Sequence, residues 1–186
     1  SRGLGDVYKR QGCNGEPAKV EVYARAAQVE LFINGKSVGK KKVKKCRANF
    51  NTTYQDGEIT AVSYDENGKE INRYSLQTAG KDTVLQVRPE EKTVKPEGLA
   101  FIQLQYTDSK GIWKPMEKHN IKVTVENGVL KGLGSPAPYV KGNYTDHTVA
   151  TYYGEAMAVV QADGNGPVKV TVADEERFYV AEIPCE

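Results

Sequence analysis

Hydrophobic and polar residues alternate along this chain in short runs, and the runs are separated by turn signals. In "KVEVYA" Val20 and Val22 share one face while Lys19 and Glu21 take the other. In "QVELFI" Val29, Leu31 and Ile33 line one side, with Glu30 opposite. "NGK" follows at once, and an Asn-Gly pair accepts the positive φ angles of a type I′ turn, so Asn34-Gly35 closes a tight hairpin. "EITAVSY" (58–64), introduced by Asp56-Gly57, and "EINRYSLQT" (70–78) read as strands on either side of the turn "DENG" (65–68). Five or six strands therefore fall within about 65 residues, the spacing of a small antiparallel sandwich. Helix-length patterns of period 3.6 are absent.

The second half repeats the style without repeating the sequence. "VLQVRP" leads into "LAFIQLQYTD", where Ile102, Leu104 and Tyr106 alternate with Gln103 and Gln105 before the turn "DSKG" (108–111). "HNIKVTVENG" places Ile121, Val123 and Val125 together and closes on a second Asn-Gly. "VLKGLGSPAPYVKGNYTD", rich in glycine and proline, reads as a long loop. "HTVATYYGEAMAVVQADGNGPVKVTVAD" supplies three more strands bounded by Gly154 and "DGNG", and "RFYVAEI" (177–183) ends the series. The expectation is an all-β chain of two consecutive immunoglobulin-like antiparallel β-sandwich domains, residues 12–80 and 81–186, joined near "TAGKD" (78–82).

Composition supports strands: Leu, Met and Phe are sparse among the 39% hydrophobic residues, and there are eleven tyrosines. Residues 1–11, "SRGLGDVYKRQ", back-translate in one frame to something resembling a transposase adapter used in preparing sequencing libraries, so they read as a cloning or assembly scar. The natural chain would then begin near Gly12, in mid-gene, as a fragment of a longer protein. The scar holds Arg2, Lys9 and Arg10 of the 26 basic residues and Asp6 of the 24 acidic ones, so the remainder carries equal numbers of both signs. Nothing in that balance points to nucleic acid or to an anionic membrane. No apolar run nears the roughly 18–20 residues of a membrane span. Compartment is left open. The cysteines Cys13, Cys46 and Cys185 are odd in number and scattered, which fits reduced thiols rather than a disulfide framework or a zinc site.

At "VELFINGKSVG" (29–39) the chain resembles the C-terminal β-sandwich modules of bacterial glycoside hydrolase family 2 enzymes, the β-galactosidase group. The resemblance begins with a "V-x-V-Y" strand, here Val20, Val22 and Tyr23. It continues through "QDGEITAVSYDENGKEI" to the closing Thr78, Ala79 and Gly80. The next hundred residues are similar to the following module of the same enzymes at "IQLQYTDSKGIWKP", "VTVENGVLKGLGSPAP", "YYGEAMAVVQA" and "GPVKVTVA". After the first strand the family commonly has "y-s-N", where this chain reads "YARAAQ" (23–28). The resemblance implies a parent enzyme that cleaves β-glycosides with retention, using two glutamates of an upstream (β/α)₈ barrel about 5–5.5 Å apart. No alternating βα units occur here. The expected role is therefore a non-catalytic accessory region, with no catalytic residue, no cofactor site and no metal site. Its partners would be the upstream barrel of the same chain, a homo-oligomer formed through the parent enzyme, and carbohydrate. The alternatives are a carbohydrate-binding module and an adhesin-like structural repeat.

The run "GKKKVKKCR" (39–47) holds six cations and no acid, which suits either phosphate neutralisation or a solvated hairpin strand whose lysines discourage edge pairing. The neutral remainder of the chain and the lack of interleaved aromatics favour the strand. Trp113, Tyr139, Tyr144, Tyr152 and Tyr153 could present flat faces to a pyranose ring or anchor loops, and Trp113, just past "DSKG", is the residue singled out for sugar contact. His119 and His147 lack the spacing of a metal site, and "DENG" and "DGNG" lack the register of a calcium loop. The sequons at Asn51 and Asn143 carry little weight.

Overall fold

The computed structural model describes the backbone of residues 2–4 together with residues 13–139 and 142–186. The expected scar therefore lies largely outside the described residues. Every regular element among them is a strand, and the chain divides into two compact units, Ser1–Ala79 and Gly80–Glu186.

The first unit contains β1 (Arg2–Leu4), β2 (Pro17–Tyr23), β3 (Gln28–Ile33), β4 (Lys36–Lys42), β5 (Arg47–Thr53), β6 (Glu58–Tyr64) and β7 (Glu70–Gln77). They form two antiparallel sheets, ordered β1-β2-β5 and β4-β3-β6-β7. The alternation read from the sequence is the packing: Val20, Val22, Val29, Leu31 and Ile33 are all buried and meet Phe50, Ile59 and Ala61 between the sheets. Asn34 and Gly35 have φ of 49° and 77°, the left-handed pair that the β3–β4 hairpin requires.

The second unit contains β8 (Val84–Pro89), β9 (Leu99–Thr107), β10 (Asn120–Glu126), β11 (Gly128–Gly134), β12 (Thr148–Ala150), β13 (Glu155–Ala162), β14 (Val168–Ala173) and β15 (Phe178–Ile183). Its sheets run β11-β13-β9-β8 and β12-β10-β14-β15. Ile102, Leu104 and Tyr106 from one sheet pack on Ile121, Val123, Val170 and Val172 from the other. All pairings between strands are antiparallel, so both units are the sandwiches expected from the pattern.

Two local expectations are corrected here. Asn127-Gly128 does not close a hairpin, because β10 and β11 belong to different sheets and the chain crosses between them at this point. Only Asn127 is left-handed, at φ 57°. Gly128 is required for close approach, since a Cβ there would lie 2.6 Å from the Gln161 carbonyl oxygen. The segment "VLKGLG" is not loop but β11, paired with β13 from Gly128 to Gly134. Leu130 and Leu133 are three residues apart and would face opposite sides of an unbroken strand. A bulge between Leu130 and Gly132 restores the parity, so both are buried. That interruption hid the strand from a reading based on simple alternation.

Candidate functional site

The outer face of the β11-β13-β9-β8 sheet carries an organised concavity. Its rows follow from register: Gln86, Gln105 and Glu155 stand side by side, then Arg88, Gln103, Met157 and Gly134, then Phe101, Val159 and Gly132. The result is a groove of about 640 Å³ floored by Met157 and Val159, edged by Gln103, Gln105 and Glu155, and walled by Pro136 and Tyr144. That size suits a small-molecule or oligomer ligand. The polar edge is already ordered. Gln105 Nε2 donates to Glu155 Oε1 at 2.7 Å, Arg88 Nη2 donates to Gln105 Oε1 at 2.9 Å, and Gln103 Nε2 donates to Glu90 Oε1 at 3.1 Å.

Tyr144 is held at both ends. Its carbonyl accepts the Leu133 N–H at 2.6 Å, and its ring lies on the bare backbone of Gly134, where a Cβ would come within 2.9 Å of Cε1. The loop beneath it is closed by Asp146, whose Oδ2 accepts the Asn143 N–H at 2.9 Å.

Of the five aromatics singled out from the sequence, the structure gathers three. Trp113 is half-buried, bridges Thr107, and donates its Nε1–H to the Tyr153 carbonyl at 2.9 Å. Tyr152 and Tyr153 meet edge to face with centroids 4.5 Å apart. Tyr153 is left-handed, at φ 51°, as is Gly154, where a Cβ would lie 2.5 Å from the Lys114 carbonyl oxygen. Trp113 is thus paired beside Thr107, which lies two residues beyond Gln105 on β9, roughly 7 Å farther along the strand. Tyr144 belongs to the groove instead, and Tyr139 is 93% exposed and lines neither cluster.

A polar network not foreseen from the sequence fastens the start of this unit. Lys114, only 3% exposed, donates through Nζ to the Asp82 carbonyl at 2.9 Å and pairs with Glu117 at 2.9 Å. It also binds Thr83 Oγ1 and, at 3.3 Å, the Lys81 carbonyl. Glu117 holds His119 Nε2 at 3.0 Å, the His119 ring lies 4.5 Å from that of Tyr106, and Tyr106 donates to Asp174 Oδ2 at 2.8 Å. Burial pushes the Glu117 carboxyl up, but hydrogen bonds from Lys114, His119 and Thr83 outweigh it and hold the group at about 2. Burial, reinforced by the bond to Asp174, raises the Tyr106 phenol. His147 Nδ1 is engaged elsewhere, with the Val123 carbonyl at 3.0 Å. Among the described residues no group of three or more His, Cys, Asp or Glu side chains could hold a metal ion.

In the first unit the basic run forms β4, an edge strand, and a turn whose Lys45 and Cys46 are left-handed. Lys40 lies over the Tyr64 ring at 3.5 Å, and Lys41 Nζ donates to the Asn49 carbonyl at 2.7 Å. Lysines on a strand edge keep it solvated and discourage pairing with another chain.

Comparison with known proteins follows the same division. A domain of unknown function (DUF4982) matches residues 15–72, and the glycoside hydrolase family 2 C-terminal domain 5 matches residues 84–177. The fold and these matches define a β-sandwich region of the kind found at the C-terminal side of glycoside hydrolase family 2 proteins. The chain belongs to the glycoside hydrolase family 2 C-terminal domain 5 family. A beta-galactosidase, BoGH2A, of Bacteroides ovatus is 29% identical over an alignment of 171 residues that covers 88% of this chain and 20% of that protein. A solved glycosyl hydrolase family 2 member from Bacteroides cellulosilyticus superposes with a TM-score of 0.90 at 26% identity, over 98% of this chain and 24% of that one. A beta-glycosidase from Bacteroides vulgatus shares the fold, with a TM-score of 0.84 at 22% identity over 98% of this chain and 24% of its own. The chain thus spans about a fifth to a quarter of the length of these relatives.

Proposed function

We propose that residues 12–80 and 81–186 are paired non-catalytic modules at the C-terminal side of a retaining β-glycosidase of the β-galactosidase type, where they brace the catalytic barrel and contribute to the oligomer. One observation carries this reading: 88% of the chain aligns with only a fifth of a beta-galactosidase, through a family defined as C-terminal. The side chains agree. Retaining hydrolysis needs two carboxyl groups about 5–5.5 Å apart, whereas Glu155 in the groove faces the amide of Gln105. The test is truncation. Removing these modules from the longer enzyme should lower its melting temperature and subunit number while leaving catalysis in the surviving folded fraction nearly unchanged. Loss of catalysis with no change in stability or assembly would count against it.

A second reading, sugar contact at Trp113, draws support from the gathering of Trp113, Tyr152 and Tyr153. Titration of the chain with galactosides, followed by tryptophan fluorescence and repeated on Trp113→Ala, tests it. Saturable quenching that vanishes in the variant is the expected result.

A further inference from the structure

We propose that the groove between Tyr144 and the Gln103–Gln105–Glu155 edge binds a neutral oligosaccharide. The ligand class rests on the sugar-contact reading above; the location is independent of Trp113. A pyranose has an apolar face and a rim of hydroxyl groups that both donate and accept. The groove offers the complement: Met157 and Val159 as an apolar floor, an aromatic wall, and a row of planar polar groups along one side.

Three features separate this surface from ordinary solvated sheet. First, Tyr144 remains 63% exposed although its carbonyl accepts the Leu133 N–H and one edge of its ring rests on Gly134, so the rest of the ring is presented rather than buried. A ring fixed beforehand loses little entropy on binding. Second, its seat exists only because residue 134 is glycine; any side chain there would lift the ring. Third, Arg88, Gln105 and Glu155 order one another before any ligand arrives. Covering this row with a protein face would strip water from a guanidinium and a carboxylate at a cost that apolar contact does not return. Sugar hydroxyls can replace that water group for group. Glu155 is the one carboxylate among the residues that line the groove, and no lysine or arginine is among them, which favours neutral sugars and disfavours uronic acids.

The experiment titrates the whole chain with β-1,4-galactotetraose, cellotetraose and, as the acidic probe, digalacturonic acid. Amide-proton NMR reads the side-chain signals of Gln103 and Gln105, and calorimetry reads the affinity. Expected are saturable shifts of those two amides with at least one neutral tetraose, and binding about tenfold weaker in Tyr144→Ala. Trp113→Ala should retain affinity. Gly134→Ala, confirmed folded by its melting curve, should weaken binding as Tyr144→Ala does. Binding lost in Trp113→Ala but kept in Tyr144→Ala would overturn the groove and leave sugar contact at Trp113 standing. No saturable binding of either neutral tetraose would overturn both sugar readings, and the accessory role would stand. Preference for digalacturonic acid would overturn the assignment to neutral sugars.

Discussion

Asn34 on the first hairpin holds Glu58 at the start of β6: its Oδ1 accepts the Glu58 N–H at 2.8 Å, and its Nδ2 donates to the Asp56 carbonyl at 3.0 Å. One residue therefore does two things. Its backbone supplies the left-handed position of the β3–β4 turn, and its side chain clamps the neighbouring turn. The clamp fits against Gly57, where an added Cβ would overlap the Asn34 carboxamide.

From this relationship, Asn34→Gly should keep the turn and lose the clamp, costing about 1–2 kcal/mol. Asn34→Ala loses both and should cost about 2–3 kcal/mol. Gly57→Ala should also destabilise, with part of that cost relieved when combined with Asn34→Gly. A coupling of about 1 kcal/mol in the double-mutant cycle, read by denaturant unfolding of the chain, is the expected outcome.

The pair of buried Lys114 and half-buried Glu117 sets an acid dependence. Glu117 is held at about 2 in the folded chain, against an ordinary carboxyl value of 4.5. Between those values the unfolded chain takes up a proton that the folded chain refuses, so stability falls as pH drops through that window and is fully present above it. Melting curves of wild type and Glu117→Gln should converge as pH is lowered from about 4.5 toward 2. Curves that stay parallel would show that Glu117 is not the group responsible. Lys114→Met should cost about 2–3 kcal/mol at neutral pH, because it takes the ammonium from Glu117, which keeps His119 and Thr83, and removes the Nζ donor of the Asp82 carbonyl.

The bulge in β11 makes a third case. Leu133 is 2% exposed and Val129 is 57% exposed, although both lie on the same short strand. Leu133→Ala should cost about 2–4 kcal/mol, and Val129→Ala less than about 0.5 kcal/mol. Equal costs would mean that the bulge does not set the facing of this strand.

These cases mark how far the sequence could be read. Strands with unbroken alternation, such as "QVELFI" and "IQLQY", were legible because one buried face imposes a period of two. β11 was not, because a bulge breaks that period and its glycines mimic a loop. Asn34 was legible as a turn residue but not as a clamp, since its partners lie 22 and 24 residues away. The aromatic residues of the candidate sites were legible by type. The outward-facing Gln103, Gln105 and Glu155 were not, because an outward polar residue on a strand has the same pattern whether it meets water or a ligand. Lys114 gave no signal either; a buried lysine depends on carbonyls brought to it by the fold.

The accessory role is tested most directly by turnover of a chromogenic β-galactoside. The chain alone is compared with the proposed parent enzyme, at equal molar concentration of folded protein. The expected result is turnover by the longer protein and none by the chain. Turnover by the purified chain, abolished in Glu155→Gln, would place catalysis in the groove and contradict the account.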